Sequence, residues 1–172
     1  MTVLREVDPL GVENRRRHRI NRRLYSSLGP NHVWHVDGYD KLKPYGISIH
    51  GCIDGFSRRL MWLTAGSTNS DPAVVVQYFI GCIRAVNGFP LILQADPGTE
   101  NSDMGAIQCT LRHEAGDCFA RQHSFRVVKS TFNQRIEAWW SMLRRLKSEW
   151  WIRFFHDLEL FGLFHRGNVT NL

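Results

Sequence analysis

The chain has 172 residues, 43% of them hydrophobic, which suits one ordinary domain with a buried core and a short appendage. Its net charge of +6, from 22 basic against 16 acidic residues, favours a polyanionic partner. No apolar run reaches bilayer length, and Arg5, Glu6 and Asp8 interrupt any secretory core at the N-terminus, so a membrane role is excluded and an intracellular, nuclear setting is expected.

The excess charge is concentrated, because six arginines and His18 fall within Arg15 to Arg23. From Val12 to Leu28 the spacing of Ile20, Leu24 and Leu28 predicts a helix. Arg15, Arg16, Arg19, Arg22 and Arg23 occupy much of its remaining surface, and Gly29 and Pro30 end it. Residues 1–30 thus read as a basic helical extension suited to phosphate contact or nuclear import, with a merely solvated arginine face as the plain alternative.

His32 to Asp40 alternates in the manner of a strand. Val33, His35, Asp37 and Tyr39 share one face, with Trp34 and Val36 on the other. Tyr45 to Asp54 and Leu60 to Ala65 read as two further strands, joined by the GFSRR turn at Gly55 to Arg59. Asp71 and Pro72 are suited to cap and open a helix carrying Val75, Phe79, Cys82, Ile83 and Val86 as far as Gly88. The nearly continuous apolar run Pro90 to Ala95 predicts a strand covered on both faces, which delivers Asp96 at its C-terminal end.

Ser102 is placed to cap a helix with Met104, Ile107 and Leu111 on one face, ended by Gly116, before a polar loop and a fifth strand near Phe125 to Lys129. Asn133 to Phe155 reads as one long amphipathic helix with Ile136, Trp140, Leu143, Trp150 and Phe154 as its apolar stripe, and Glu137 near the stripe's edge. The core therefore spans 31–155. The tail 156–172 carries Leu158, Leu160, Phe161, Leu163 and Phe164, more apolar surface than a free terminus exposes, so a truncated segment is expected there.

Cys52, Cys82, Cys109 and Cys118 form no CxxC pair, so reduced thiols are expected rather than a disulfide framework. Cys109, His113, Cys118 and His123 have zinc-ligand chemistry without the paired spacing of zinc sites, and a buried Cys109 with a solvated His113 is the simpler reading.

Asp37, Asp96 and Glu137 come from three distant segments, two of them strands and one a helix start. Three clustered carboxylates are what a pair of divalent cations needs for phosphodiester chemistry. Ser141 and Arg144 lie four and seven residues beyond Glu137 on the same helix face, with Arg145 beside them, and Asn133 lies one turn before it. These suit nucleic-acid contact, although an ordinary wet helix face would carry similar residues.

The motifs WHVDGYDKLKPYG, HGCIDGFSRR, ADPGTEN and NQRIEAWWSMLRR, in that order from about Asn31 to Phe155, resemble the catalytic core of the retroviral integrase and transposase (DDE) superfamily, especially the integrase-core proteins of mobile-element origin in animal genomes. The resemblance implies an α/β, RNase H-like fold with a mixed five-stranded sheet. It further implies Mg²⁺ or Mn²⁺, DNA as partner, DNA integration by strand transfer, and an active homo-oligomer. Asp37, Asp96 and Glu137 would be the catalytic metal ligands, whereas Asp54 matches a family position that is not one. The Asp96 to Glu137 spacing is longer than in typical retroviral integrases, so an enlarged loop before the fifth strand is expected. Two other readings stay open: a domesticated, catalytically silent DNA-binding module, and an RNase H-type nuclease cutting RNA.

Overall fold

Alternation along β1 (Val33–Tyr39) sends side chains to both faces of a sheet, and it is the central strand. The computed structural model describes residues 6–16 and 25–166, with backbone alone for 14–16. The strand β2 (Ser48–Asp54) pairs antiparallel with β1, and β3 (Leu60–Gly66) antiparallel with β2. On the other side β4 (Ile92–Ala95) runs parallel to β1, and β5 (Phe125–Val127) parallel to β4, giving the order β3-β2-β1-β4-β5. All four residues of β4 are buried, as its nearly continuous apolar character predicts, Gln94 included.

Four further helices join α1 (Pro9–Arg16). In α2 (Pro72–Val86) the Asp71 carboxylate accepts the Ala73 N–H at 2.9 Å, Pro72 takes the first position, and Asn87 at φ 51° closes the C-terminal end. Together α2 and α3 (Ser102–Leu111) cover one face, burying Val75, Phe79 and Met104 against Trp34, Val36 and Leu93. The inward face of α3 carries Met104, as expected, with Gly105 and Gln108; Ile107 packs against the same core at its edge, whereas Leu111, also expected inward, is exposed. Gln108 is accommodated because its amide donates to the Pro90 carbonyl at 2.9 Å. The enlarged loop that follows is closed by an Arg112 to Asp117 ion pair.

The opposite face is covered by α4 (Gln134–Leu143), which packs Ile136 and Trp140 on Tyr39 and Ile53. Gly51 makes this approach possible, since a Cβ there would stand 2.8 Å from the Trp140 ring. The expected single helix is interrupted. A π-helical turn at Arg144–Ser148 precedes α5 (Glu149–Leu160). One extra residue in a turn advances the helix face by about 100°. The inward positions therefore become Ser148, Ile152 and Phe155. Trp150 and Phe154, expected in the apolar stripe, point outward at 59% and 39% exposure. Ser148 is buried and its hydroxyl pairs with that of Tyr39 at 2.7 Å.

The expected basic helix over Val12 to Leu28 is corrected at both ends. Helix α1 is Pro9–Arg16, so Arg15 and Arg16 lie on it, while Arg19, Arg22 and Arg23 lie outside the described residues. Tyr25 to Leu28 are not helical, because tertiary contacts hold Tyr25: its hydroxyl bonds His35 Nε2 at 2.8 Å and the Arg135 guanidinium sits 3.8 Å from its ring centre. Gly55 yields the room, since a Cβ there would lie 2.0 Å from the Tyr25 hydroxyl. Among the described residues no helix is long and apolar enough to cross a membrane.

Candidate active site

The β1–β4 pairing sets Val33 beside Ile92 and His35 beside Gln94, and continuing that register two residues brings Asp37 beside Asp96. Glu137 arrives from the first turn of α4, which crosses β1 and β2. The three carboxylates line one cleft of about 390 Å³, together with Trp140, Ser141 and Arg144. A second cleft of about 300 Å³ adjoins on the Asp37 and Asp96 side and is lined also by Asp40, Asn69 and Glu100. A third of about 440 Å³ adjoins on the Glu137 and Ser141 side. An open groove thus passes the acids on both sides.

Crowding is visible in the proton affinities. Burial pushes the Asp37 carboxyl up to about 7, and the negative charges of Asp96 and Glu137 add to the push. Asp96 is raised by burial, with a hydrogen bond from the Asp37 carboxyl working against the rise. Glu137 is raised by burial and then by Asp96. Each acid would be relieved by a cation placed among them. Among the described residues no group of three His, Cys, Asp or Glu side chains has the geometry to hold a metal ion as it stands. The donor chemistry of three carboxylates fits a hard divalent cation.

Asp37 is also held from below. The Trp140 indole N–H donates to its Oδ2 at 2.8 Å, a role that the reading of Trp140 as a core residue did not contain. The indole can only donate, so it orients the carboxylate without competing for cations. Asp40 and Asn69 were also missed. The Asn69 amide donates to Asp40 Oδ1 at 2.8 Å, at the wall of the second cleft. The only sequence signal for Asp40 was its place three residues after Asp37.

The polar residues around Glu137 divide. Ser141 and Arg144 line the cleft, with the Ser141 hydroxyl donating to the Glu137 carbonyl at 3.1 Å and Arg144 bonded to Glu149 at 3.0 Å. Arg145 is exposed and outside the cleft wall. Asn133, expected at the nucleic-acid surface, is fully buried. Its amide N–H donates to the Val36 carbonyl at 2.8 Å, so its Oδ1 accepts from His35 Nδ1 at 2.8 Å, and His35 Nε2 is left to accept from Tyr25. This chain of bonds ties the start of α4 to the middle of β1 and leaves Asn133 nothing with which to touch DNA. Burial drives His35 down to about 4, keeping it neutral within the network.

Asp54 is buried and structural, as the resemblance implies. It accepts the Asn31 N–H at 2.8 Å and the Ser57 N–H and hydroxyl at 2.7 and 2.6 Å, clamping the GFSRR turn. Of the set Cys109, His113, Cys118 and His123, Cys109 is partly buried and His113 is exposed with its ring against Glu114, in line with the simpler reading.

A mixed sheet ordered 3-2-1-4-5, with Asp37 within its central strand and Asp96 just past the end of the neighbouring one, is that of an RNase H-like α/β protein. The integrase core domain family model matches residues 24–171, and the chain belongs to that family. No curated protein matches it. Among solved structures it is similar to the HTLV-2 integrase catalytic core domain, solved in complex with magnesium in a trimeric form. That likeness is 20% identical over 73% of this chain and 74% of that one, with a TM-score of 0.48.

Proposed function

We propose that this chain is a metal-dependent polynucleotidyl transferase core that acts on DNA in strand transfer, with Asp37, Asp96 and Glu137 as catalytic metal ligands. What carries the reading is the convergence of these three acids, from β1, the end of β4 and the start of α4, on one groove where Asp96 and Glu137 raise the proton affinity of Asp37 and Asp96 raises that of Glu137. Two Mg²⁺ or Mn²⁺ ions bound there would activate the attacking oxygen and stabilise the leaving one. Asp37, on which the charges of both Asp96 and Glu137 act, is suited to bridge, and Trp140 holds its carboxylate in place. Ser141, Arg144 and Arg145 follow on the same helical rod to meet phosphates. Arg15, Arg16, Arg19, Arg22 and Arg23 supply further phosphate contacts and suit import into the nucleus, where the substrate lies.

The test is strand transfer by the full chain from a DNA end bearing a free 3′-hydroxyl, with Mg²⁺ or Mn²⁺, beside a parallel assay on an RNA:DNA hybrid. Asp96→Asn should reduce transfer at least about a hundredfold, since it removes a ligand the two ions need. Wild-type turnover by that variant rejects the mechanism, and cleavage confined to the hybrid assigns the nuclease alternative. One observation favours a second reading, a DNA-binding module without turnover: the acids are open rather than closed around a site. Salt-sensitive DNA binding with no transfer in either cation would establish it.

A further inference from the structure

Three hydrogen bonds run in series from Tyr25 to β1 through His35 and Asn133, and their direction is set from one end. Because the Asn133 amide N–H donates to the Val36 carbonyl at 2.8 Å, its oxygen faces the His35 ring and requires a proton on Nδ1, 2.8 Å away. The Gln94 amide nitrogen also stands 3.3 Å from Nδ1, but it has the Phe132 carbonyl at 3.2 Å to donate to, and the shorter Asn133 contact decides the assignment. A neutral imidazole carries one proton, so Nε2 is an acceptor, and the Tyr25 hydroxyl 2.8 Å away is its donor. His35 is fully buried. Without the hydroxyl its Nε2 becomes a buried acceptor lacking a donor, the proton is free to move there, and the Nδ1 lone pair then faces the Asn133 oxygen.

Both outcomes of that choice are felt on the elements that carry the acids. Val36 immediately precedes Asp37 on β1, and the Asn133 carbonyl accepts the Glu137 N–H at 3.2 Å in the first turn of α4. Two lone pairs set against each other at Asn133 would lift the foot of the helix, and Glu137 sits one turn above it. Tyr25 is itself pinned from α4, since the Arg135 guanidinium lies 3.8 Å from its ring centre. In the chain Tyr25 follows Arg22 and Arg23 with only Leu24 between.

We propose that Tyr25 is a positioning residue for Glu137: its hydroxyl selects the His35 tautomer that seats α4, so that the end of the arginine-rich segment is tied to the spacing of the carboxylates across the cleft. The inference rests on the reading of Asp37, Asp96 and Glu137 as cation ligands, and adds how the chain keeps two of them in register.

Proton–nitrogen correlation NMR of the imidazole rings in the full 172-residue chain, with calorimetric titration by Mg²⁺ or Mn²⁺ alone, tests it. Wild-type His35 should show the Nδ1–H pattern. Tyr25→Phe keeps the ring against Arg135 and removes only the hydroxyl. Its circular dichroism spectrum should be unchanged, its His35 should move toward the Nε2–H pattern, and its cation affinity should fall about tenfold, the scale of losing a group that orients a ligand. In strand transfer the same variant should lower kcat and leave KM for DNA unchanged, because no phosphate contact is removed. A wild-type His35 protonated on Nε2, or a Tyr25→Phe chain that keeps the wild-type tautomer, overturns the proposal. Equal cation uptake by the two chains overturns this inference alone, whereas a wild type that takes up no cation overturns the reading of the three acids and this inference with it.

Discussion

Helices α4 and α5 form one nearly continuous rod, and both carry tryptophans at amphipathic spacing, but their fates are opposite. The ring of Trp140 is 5% exposed, lies over Gly51 and donates to Asp37, whereas Trp150 is 59% exposed and its ring meets Trp151 and Phe154 of its own helix. Between them the π-turn rotates the face by one residue's worth of helix. The comparison teaches that an apolar period says a helix has a sticky side, and that the register of a neighbouring sheet decides which partner that side meets.

The widest gap between the two halves should appear in stability. Trp140→Ala removes a large buried side chain and should cost about 3 to 5 kcal/mol in denaturant unfolding. A loss below about 1 kcal/mol would mean that α4 is not seated on the sheet as described. Asn133→Ala, at the foot of the same helix, leaves the His35 N–H and the Val36 carbonyl unpaired and should cost about 1 to 3 kcal/mol. An equal loss on replacing exposed Arg145 would contradict the division between buried and surface roles.

Next comes pH dependence, in which the Asp37 contribution belongs to the α4 side. Asp37 is raised from 3.8 to about 7, so between those values the folded chain holds a proton that the unfolded chain has released, and stability falls as pH rises through the window. His35 and His50, lowered from 6.5 to about 4, act in the opposite sense, with stability falling as pH drops through their window. Asp37→Asn isolates the first effect. Its melting temperature relative to wild type should climb from pH 4 to pH 7 and then level, and Mg²⁺ should raise the wild-type melting temperature more at pH 8 than at pH 5. A constant difference across that range would remove the crowded carboxyl from the account. The smallest effect should be that of Trp150→Ala, within about 0.5 kcal/mol of wild type in the monomer. A large loss there would make α5 part of the core.

Much of the site was legible in the chain itself. Alternation around Asp37, the apolar run that ends at Asp96, and the Asp71–Pro72 cap are local signals, written within a few residues of the feature they announce, and each element formed where it was expected. That the sheet is mixed and five-stranded followed from the family motifs, and its order came from the structure. What sequence could not supply were the polar partnerships: Asn133 lies 98 residues from His35, and Trp140 lies 103 from Asp37. An asparagine one turn before Glu137 looks like a surface residue until the strand beneath it is in place.

The sequence alone therefore determined the kinds of element, their order, and the three acids that could share a cation. The tertiary structure alone decided that Tyr25 leaves the basic helix to cover His35, that Asn133 is internal, that Trp140 steadies Asp37, and that the π-turn directs Trp150 and Phe154 to solvent. The reason is one of range. Periodicity and capping are set by neighbours along the chain, while the partner of a buried polar group or an apolar ridge is set by whichever distant segment packing brings against it.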